Sequence, residues 1–325
     1  MQNNILLCAI IGFTNLFGTA EDHISLIQSS IDNGDYLVAN EIFDTAITEF
    51  DANAGLYFIG GTVAVKLDKL DDANKHFIKA IELDNKNEYY RLEQEKLSEL
   101  KNGMTNARKT YDSGMIDDAI IDYEKLTTAF SKHAIVFYNL GRVYKINKEY
   151  DSAVKNYKRA MVINPFEKKY SLAITAIAQE MAKAGDTEYR RQEFDSAIEN
   201  YKNAIQYSPD YTTAYFKLAR TYFKIKDYEN AKIYLEQNLA VDPNQEQSEK
   251  MLGDIYRVTG ESEKAIEHYN RAISFNGNYH QAYYSLGTIL LSNGDLENAK
   301  IALKSALQLD SSYAKAYGAL GTVEQ

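Results

Sequence analysis

Alanine recurs in register along the whole chain, at Ala39, Ala73, Ala119, Ala153, Ala197, Ala231, Ala265 and Ala299. The interval is 34 residues except at two steps, Ala73 to Ala119 (46) and Ala153 to Ala197 (44). Cut into units starting at 20, 54, 100, 134, 178, 212, 246 and 280, the chain carries each of these alanines at unit position 20. Position 8 is small in every unit but the first (Gly61, Ala107, Gly141, Gly185, Ala219, Gly253, Gly287). Position 24 is always large: Phe43, Phe77, Tyr123, Tyr157, Tyr201, Leu235, Tyr269, Leu303. A period of this length marks a structural unit that cannot bury its own apolar face and must stack on its neighbours.

Within a unit the apolar residues follow helical spacing. Phe137, Leu140, Gly141 and Tyr144 form one stripe, and Ala153, Tyr157 and Ala160 form a second after a turn. The unit is therefore expected to be a helix hairpin, with small residues at positions 8, 20 and 27 for close approach. Turn signals stand between the stripes, as at Asn33–Asp35, Asp112–Gly114 and Asn293–Asp295. The three prolines, Pro165, Pro209 and Pro243, all fall at position 32, where the second helix ends.

These residues resemble the tetratricopeptide repeat (TPR). The closest unit is 134–167, with Phe137, Leu140, Gly141, Tyr144, Ala153, Tyr157, Ala160 and Pro165 in place. Tryptophan is absent, and Tyr57, Phe137, Tyr215 and Tyr283 stand where the pattern has it. The first unit departs most, with His23, Ile27 and Ser30 at consensus positions. The resemblance implies an all-α fold over 21–325: a right-handed superhelical solenoid of eight complete hairpins and a partial unit, 314–325. Most tyrosines then serve as packing residues.

The two long steps insert residues 88–99 and 168–177, which lack Gly and Pro. They read as helical extensions of the following first helix. The second carries its own stripe, Tyr170, Ile174, Ile177 and Met181. That stripe either packs on the preceding repeat or docks a partner, self-association through 168–181 or through the C-terminal end being one outcome. After the last full unit only a first helix follows. The chain is then expected either to continue in a longer protein or to have its end covered by a partner.

The first twenty residues hold no charged side chain, and an apolar run from Ile5 to Phe17 precedes the sequence "GTA". This is the pattern of a secretory signal peptide cleaved after Ala20, although no Lys or Arg precedes the run. The alternative is a membrane anchor over residues 5–20. Cleavage would remove Cys8, the only cysteine, and with it all thiol chemistry. Export to the periplasm or cell envelope of a bacterium is the expectation.

A formal charge of −10 argues against general nucleic-acid binding. No HExxH, paired CxxC, P-loop or GxSxG motif occurs, and the five histidines are scattered. No catalytic residue, metal or cofactor is expected. His76 and His268 read as surface residues, and the acidic side chains as solvated faces.

In the family that the chain resembles, positions 2, 5, 6, 9, 12 and 13 of the first helices face a concave groove. Carried onto this sequence, the groove offers Arg108 and Tyr111, then Tyr138, Asn139, Arg142 and Lys145. It continues with Lys183, Tyr189 and Arg190, then Phe216, Lys217, Arg220 and Lys224. Cations interleaved with aromatics suit an acidic or C-terminal peptide segment. The family's two-carboxylate clamp is incomplete: Asn139 and Lys183 stand in its places, whereas Met104, Arg108 and Gln179 do not. The resemblance implies a non-enzymatic scaffold for protein contacts. The alternatives are the docking region of a longer enzyme, such as a glycosyltransferase or peptidase, and a cytosolic co-chaperone.

Overall fold

A computed structural model describes residues 18–323; all but the last three residues of the expected leader, 1–20, lie outside them, as do the last two residues of the chain. Among the described residues every regular element is an α-helix. In order they are α1 Ala20–Asp32, α2 Tyr36–Ala46, α3 Ala54–Lys66, α4 Leu70–Leu83, α5 Glu88–Asp112, α6 Ile116–Ala129, α7 Ala134–Ile146 and α8 Tyr150–Ile163. Then follow α9 Lys168–Arg190, α10 Phe194–Tyr207, α11 Thr212–Lys224, α12 Tyr228–Val241, α13 Glu246–Thr259, α14 Ser262–Phe275, α15 His280–Ser292, α16 Leu296–Leu309 and α17 Ala314–Val323. Consecutive helices pack as hairpins. The chain forms two compact units, one ending at Ile174 and the other beginning at Thr175.

Each hairpin closes on a large side chain from its second helix laid against the backbone of its first. Gly253 lies under the Tyr269 ring, so a Cβ built on it would meet ring carbons at 2.5 and 2.6 Å. Gly141 lies under Tyr157 and Gly185 under Tyr201 in the same way. The alanines at position 20 are fully buried. The first repeat departs from the rule for a visible reason. Phe43 leans on Gly60 of the next repeat, where a Cβ would meet its ring at 2.3 Å, and this leaves Ile27 room at position 8.

Every hairpin turn passes through a left-handed residue at unit position 15. Four are glycine (Gly34, Gly114, Gly260, Gly294) and four are Asp68, Lys148, Gln192 and Lys226, all with φ between 59° and 85°. The left-handed residue reverses the chain tightly enough for the second helix to begin two residues later.

Two first helices are long. α5 has 25 residues and α9 has 23, against 13 in α3, α7 and α11. The surplus lengthens them by about 18 and 15 Å. Asn87 starts α5 by accepting from the backbone N–H groups of Tyr89 and Tyr90. The added turns of α5 pack on the preceding repeat, with Tyr90 stacked on Phe58 at 4.6 Å and Leu97 and Leu100 buried. The stripe at the start of α9 is buried as well. Tyr170 is wholly enclosed beside Ala134 and Ala160, and Ile174 and Ile177 are buried too. Of the side chains in 168–181, Tyr170, Ile174 and Ile177 thus pack within the chain, while Leu172 is 64% exposed.

In the N-terminal unit one core spans three repeats. Val136 of α7 joins Ala64 of α3, Leu70, Ala73 and Phe77 of α4, and Leu97 and Leu100 of α5. In the C-terminal unit the main core runs from Ala178 through Tyr201, Leu218 and Leu235 to Leu252 and Ile255.

The ring-on-glycine contact outweighs helix propensity. Gly253→Ala is expected to lose about 1–3 kcal/mol in urea unfolding, because the Tyr269 ring is rigid and enclosed. Gly103→Ala meets only a terminal methyl of Leu126, which can rotate away. That variant should be neutral, or gain up to about 1 kcal/mol from better helix propensity.

Candidate functional site

In the N-terminal unit a cavity of about 360 Å³ opens between the α3–α4 turn and the helices α5, α6 and α7. From α5 it takes Lys101, Met104, Thr105, Arg108 and Tyr111, which are unit positions 2, 5, 6, 9 and 12. From α7 it takes Asn139, Arg142, Val143 and Ile146. Tyr123 of α6 and Asp68, Leu70 and Asp71 complete the wall. The cavity therefore gathers Arg108, Tyr111, Asn139 and Arg142 from the expected groove. It adds Asp68, Asp71, Lys101 and Tyr123, which the sequence reading missed. Lys101 and Met104 occupy groove positions and could have been found there.

The charges of this wall are partly spent on one another. Lys101 reaches Asp71 at 2.6 Å, and that hydrogen bond holds the Asp71 carboxyl below its ordinary range. Lys169 approaches Asp68 at 3.4 Å. Arg108 faces Asp112 at 3.5 Å on the exposed rim, an arrangement worth little in water. Arg142 lies 5.9 Å from the Tyr138 ring centre and makes no ion pair among the described residues. Burial pushes the Tyr123 phenol up, and Arg142 and Arg108 both pull against that shift. The cavity thus keeps two guanidinium groups at one end, with Asn139 and Tyr111 beside them.

Tyr138 is a packing residue rather than a wall of this cavity, with its ring 5.6 Å from Tyr157 and 5.4 Å from Tyr170. Lys145 is half-buried at the end of α7.

The other expected groove residues belong to the C-terminal unit and form a different arrangement. Asp186 of α9 accepts from the Tyr201 hydroxyl at 2.8 Å and from Lys217. The Arg220 guanidinium lies 4.7 Å over the Tyr189 ring, which meets Phe194 edge-on at 5.6 Å. Phe216 packs on the core, while Lys183, Arg190 and Lys224 are exposed. Lys217 is therefore neutralised internally, and Arg220 is stacked.

Two readings of the sequence need correction. His268 is not a surface residue: its Nδ1 lies 2.6 Å from Glu249, itself buried, and its ring stacks on Tyr256 at 5.1 Å. His76 packs edge-on to Phe43 at 4.8 Å, and burial holds its pKa below the usual range. Nor are all the acids solvated. Asp254 accepts from the Tyr269 hydroxyl at 2.9 Å as Asp186 does from Tyr201, and the Asp68 side chain is 3% exposed. A hydroxyl buried at position 24 points at position 9 of its hairpin, and an acid there satisfies it.

Residues 185–226 and 253–294 match the TPR repeat family, and residues 134–166, 212–245 and 280–313 match the tetratricopeptide repeat family. All eight hairpins carry alanine at position 20 and a large residue at position 24, and all but the first a small residue at position 8. The chain is a tetratricopeptide-repeat protein. No curated protein matches it. Among solved structures it is similar to the MamA protein at 24% identity, over 56% of this chain and 94% of that one, with a TM-score of 0.37. It is also similar to YrrB, described as a TPR protein with an unusual peptide-binding site, at 15% identity over 61% and 96%, with a TM-score of 0.39. TPR proteins are in general interaction scaffolds, and this repeat array is a scaffold for protein contacts. Among the described residues no helix is long and apolar enough to cross a membrane.

Asp68 supplies a pH test of the site. Burial pushes its carboxyl up to about 6; Lys169 and the Ile135 N–H oppose this and Glu167 adds to it. The folded protein holds this proton more tightly than the unfolded chain does. The stabilisation is therefore fully present below about pH 4 and is lost as the pH rises through about 6. His76 and His133, held low by burial, act in the opposite sense. The readout is accordingly the difference between parent and variant. Asp68→Asn should remove an acid-side gain of about 2–3 kcal/mol between pH 4 and 7.5 in urea unfolding. Equal pH slopes for the two proteins would refute the assignment.

Proposed function

We propose that the N-terminal cavity holds an acidic segment of a protein partner, and that the protein acts by this binding rather than by catalysis. The observation that carries the reading is the convergence of Arg108 and Arg142 on one cavity whose remaining charges are paired within the chain. Guanidinium groups offer forked donors to carboxylates, and Met104, Val143 and Ile146 give apolar contact to the segment's stem. Of the C-terminal unit's groove cations, Arg220 is stacked on Tyr189 and Lys217 is paired with Asp186, so these two are less available to a ligand.

A fluorescein-labelled octaglutamate peptide tests the class of ligand. It is expected to bind the parent protein and to lose at least tenfold in affinity with Arg108→Glu/Arg142→Glu. Lys183→Glu/Lys224→Glu, on the other unit, should leave the affinity within twofold. Equal loss in both variants would mean that the peptide reads general charge and not this cavity.

The uncharged run before Glu21 supports export, with the envelope as the place of work. N-terminal sequencing of the protein recovered from its native cell is expected to begin at Glu21. A chain in the cytosolic fraction that retains residues 1–20 would overturn this part of the proposal.

A further inference from the structure

In a simple solenoid each repeat touches only its neighbours. The N-terminal unit breaks that rule in its core, where Val136 reaches α3 and α4, and again at a turn. The turn between α3 and α4 meets the connection between α8 and α9, about a hundred residues further along the chain. Asp68 accepts from the Tyr170 hydroxyl and faces Lys169 at 3.4 Å. The Asn164 side-chain amide donates to the Lys66 carbonyl at 2.9 Å, and Asn164 is 1% exposed. Phe166 meets Tyr36 edge-on at 6.3 Å. The contact is mostly polar, and Phe166 is 43% exposed. Asp68 is at once its anchor and part of the cavity wall.

We propose that these residues form a releasable clasp that closes the cavity of the N-terminal unit, and that its opening admits the partner. The second half rests on the reading of the cavity as the partner site. The clasp's direct contacts, Phe166 on Tyr36 apart, are polar groups that water can satisfy once it opens. Its polarity also gives it a sign. Asp68 is enclosed with one cation, Lys169, one hydroxyl, Tyr170, and the Ile135 N–H, while Glu167 repels it. An ionised carboxylate in that setting is costlier than a neutral one. Acid therefore tightens the clasp, and neutral pH loosens it. Removing Lys169 leaves the carboxylate enclosed without its counter-charge.

The test uses the full chain with Cys8→Ser and spin labels at Lys75→Cys on α4 and Lys158→Cys on α8, both exposed. Double electron–electron resonance at pH 7.5 is expected to give the parent a distance distribution somewhat broader than its narrow one at pH 5. Lys169→Ala should broaden it toward longer distances. Lys169→Ala/Asp68→Asn should narrow it again, because a neutral amide needs no counter-charge. A distribution unmoved by Lys169→Ala, or not restored by Asp68→Asn, overturns the clasp. If circular dichroism shows that Lys169→Ala loses helix, the labelled parent decides instead. Its distribution should broaden as the pH rises through about 6, and a constant distribution from pH 5 to 8 overturns the clasp.

Gating is read by the association rate of the octaglutamate peptide, expected to rise at least threefold in Lys169→Ala. An unchanged rate alongside a broadened distribution overturns gating. A parent protein that binds no peptide at all defeats the functional reading, while the distances still decide the clasp.

Discussion

The structure depends on a ring, or its aliphatic substitute, pressed onto the backbone of the facing helix. Tyr269 on Gly253, Tyr201 on Gly185 and Tyr157 on Gly141 each bring two helices closer than a side chain at position 8 would permit. That distance sets the shape of the hairpin. It also leaves each hairpin with an uncovered apolar face, and so compels stacking. The same closeness places the hydroxyl of the ring at the far surface of the first helix, beside position 9. There Asp186 and Asp254 accept it in two hairpins, whereas Arg108 and Arg142 stand at that position in two others. One packing contact thus determines both the repeat and where its polar groups emerge.

The two long helices are the second constraint. The surplus turns of α5 cover the preceding repeat with Tyr90, Leu97 and Leu100 and bring α7 to share a core with α3 and α4 through Val136. The start of α9 buries Tyr170 beside Ala134 and carries its hydroxyl to Asp68. Contacts beyond the nearest neighbour arise from these added turns. One of them ends at Asp68, in the wall of the cavity that four expected groove residues share.

Much of this was legible in the primary structure. The alanine register located the second helices, and the glycines at position 8 located the close approaches. The groove positions of α5 coincide with the cavity wall at Lys101, Met104, Thr105, Arg108 and Tyr111. Other residues misled for identifiable reasons. Asp68 looks like an ordinary turn residue, because its partners Lys169 and Tyr170 lie about a hundred residues away. His268 sits at a position that reads as surface, yet Glu249 of the helix before it faces the same seam. Tyr138 and Lys217 belong to the groove by position, but neighbouring helices use them for packing and pairing.

The amino-acid sequence by itself determined the repeat, the hairpins and their small-residue contacts, because these depend on spacings of three, four and 34 residues along the chain. Only the tertiary structure decided which charges remain available to a ligand. Ion pairing and burial are settled between side chains from different helices, and no local spacing records that Lys101 belongs to Asp71, Lys217 to Asp186 and Asp68 to Lys169. Arg142 lines the cavity without an ion pair among the described residues, its neighbours having found other partners.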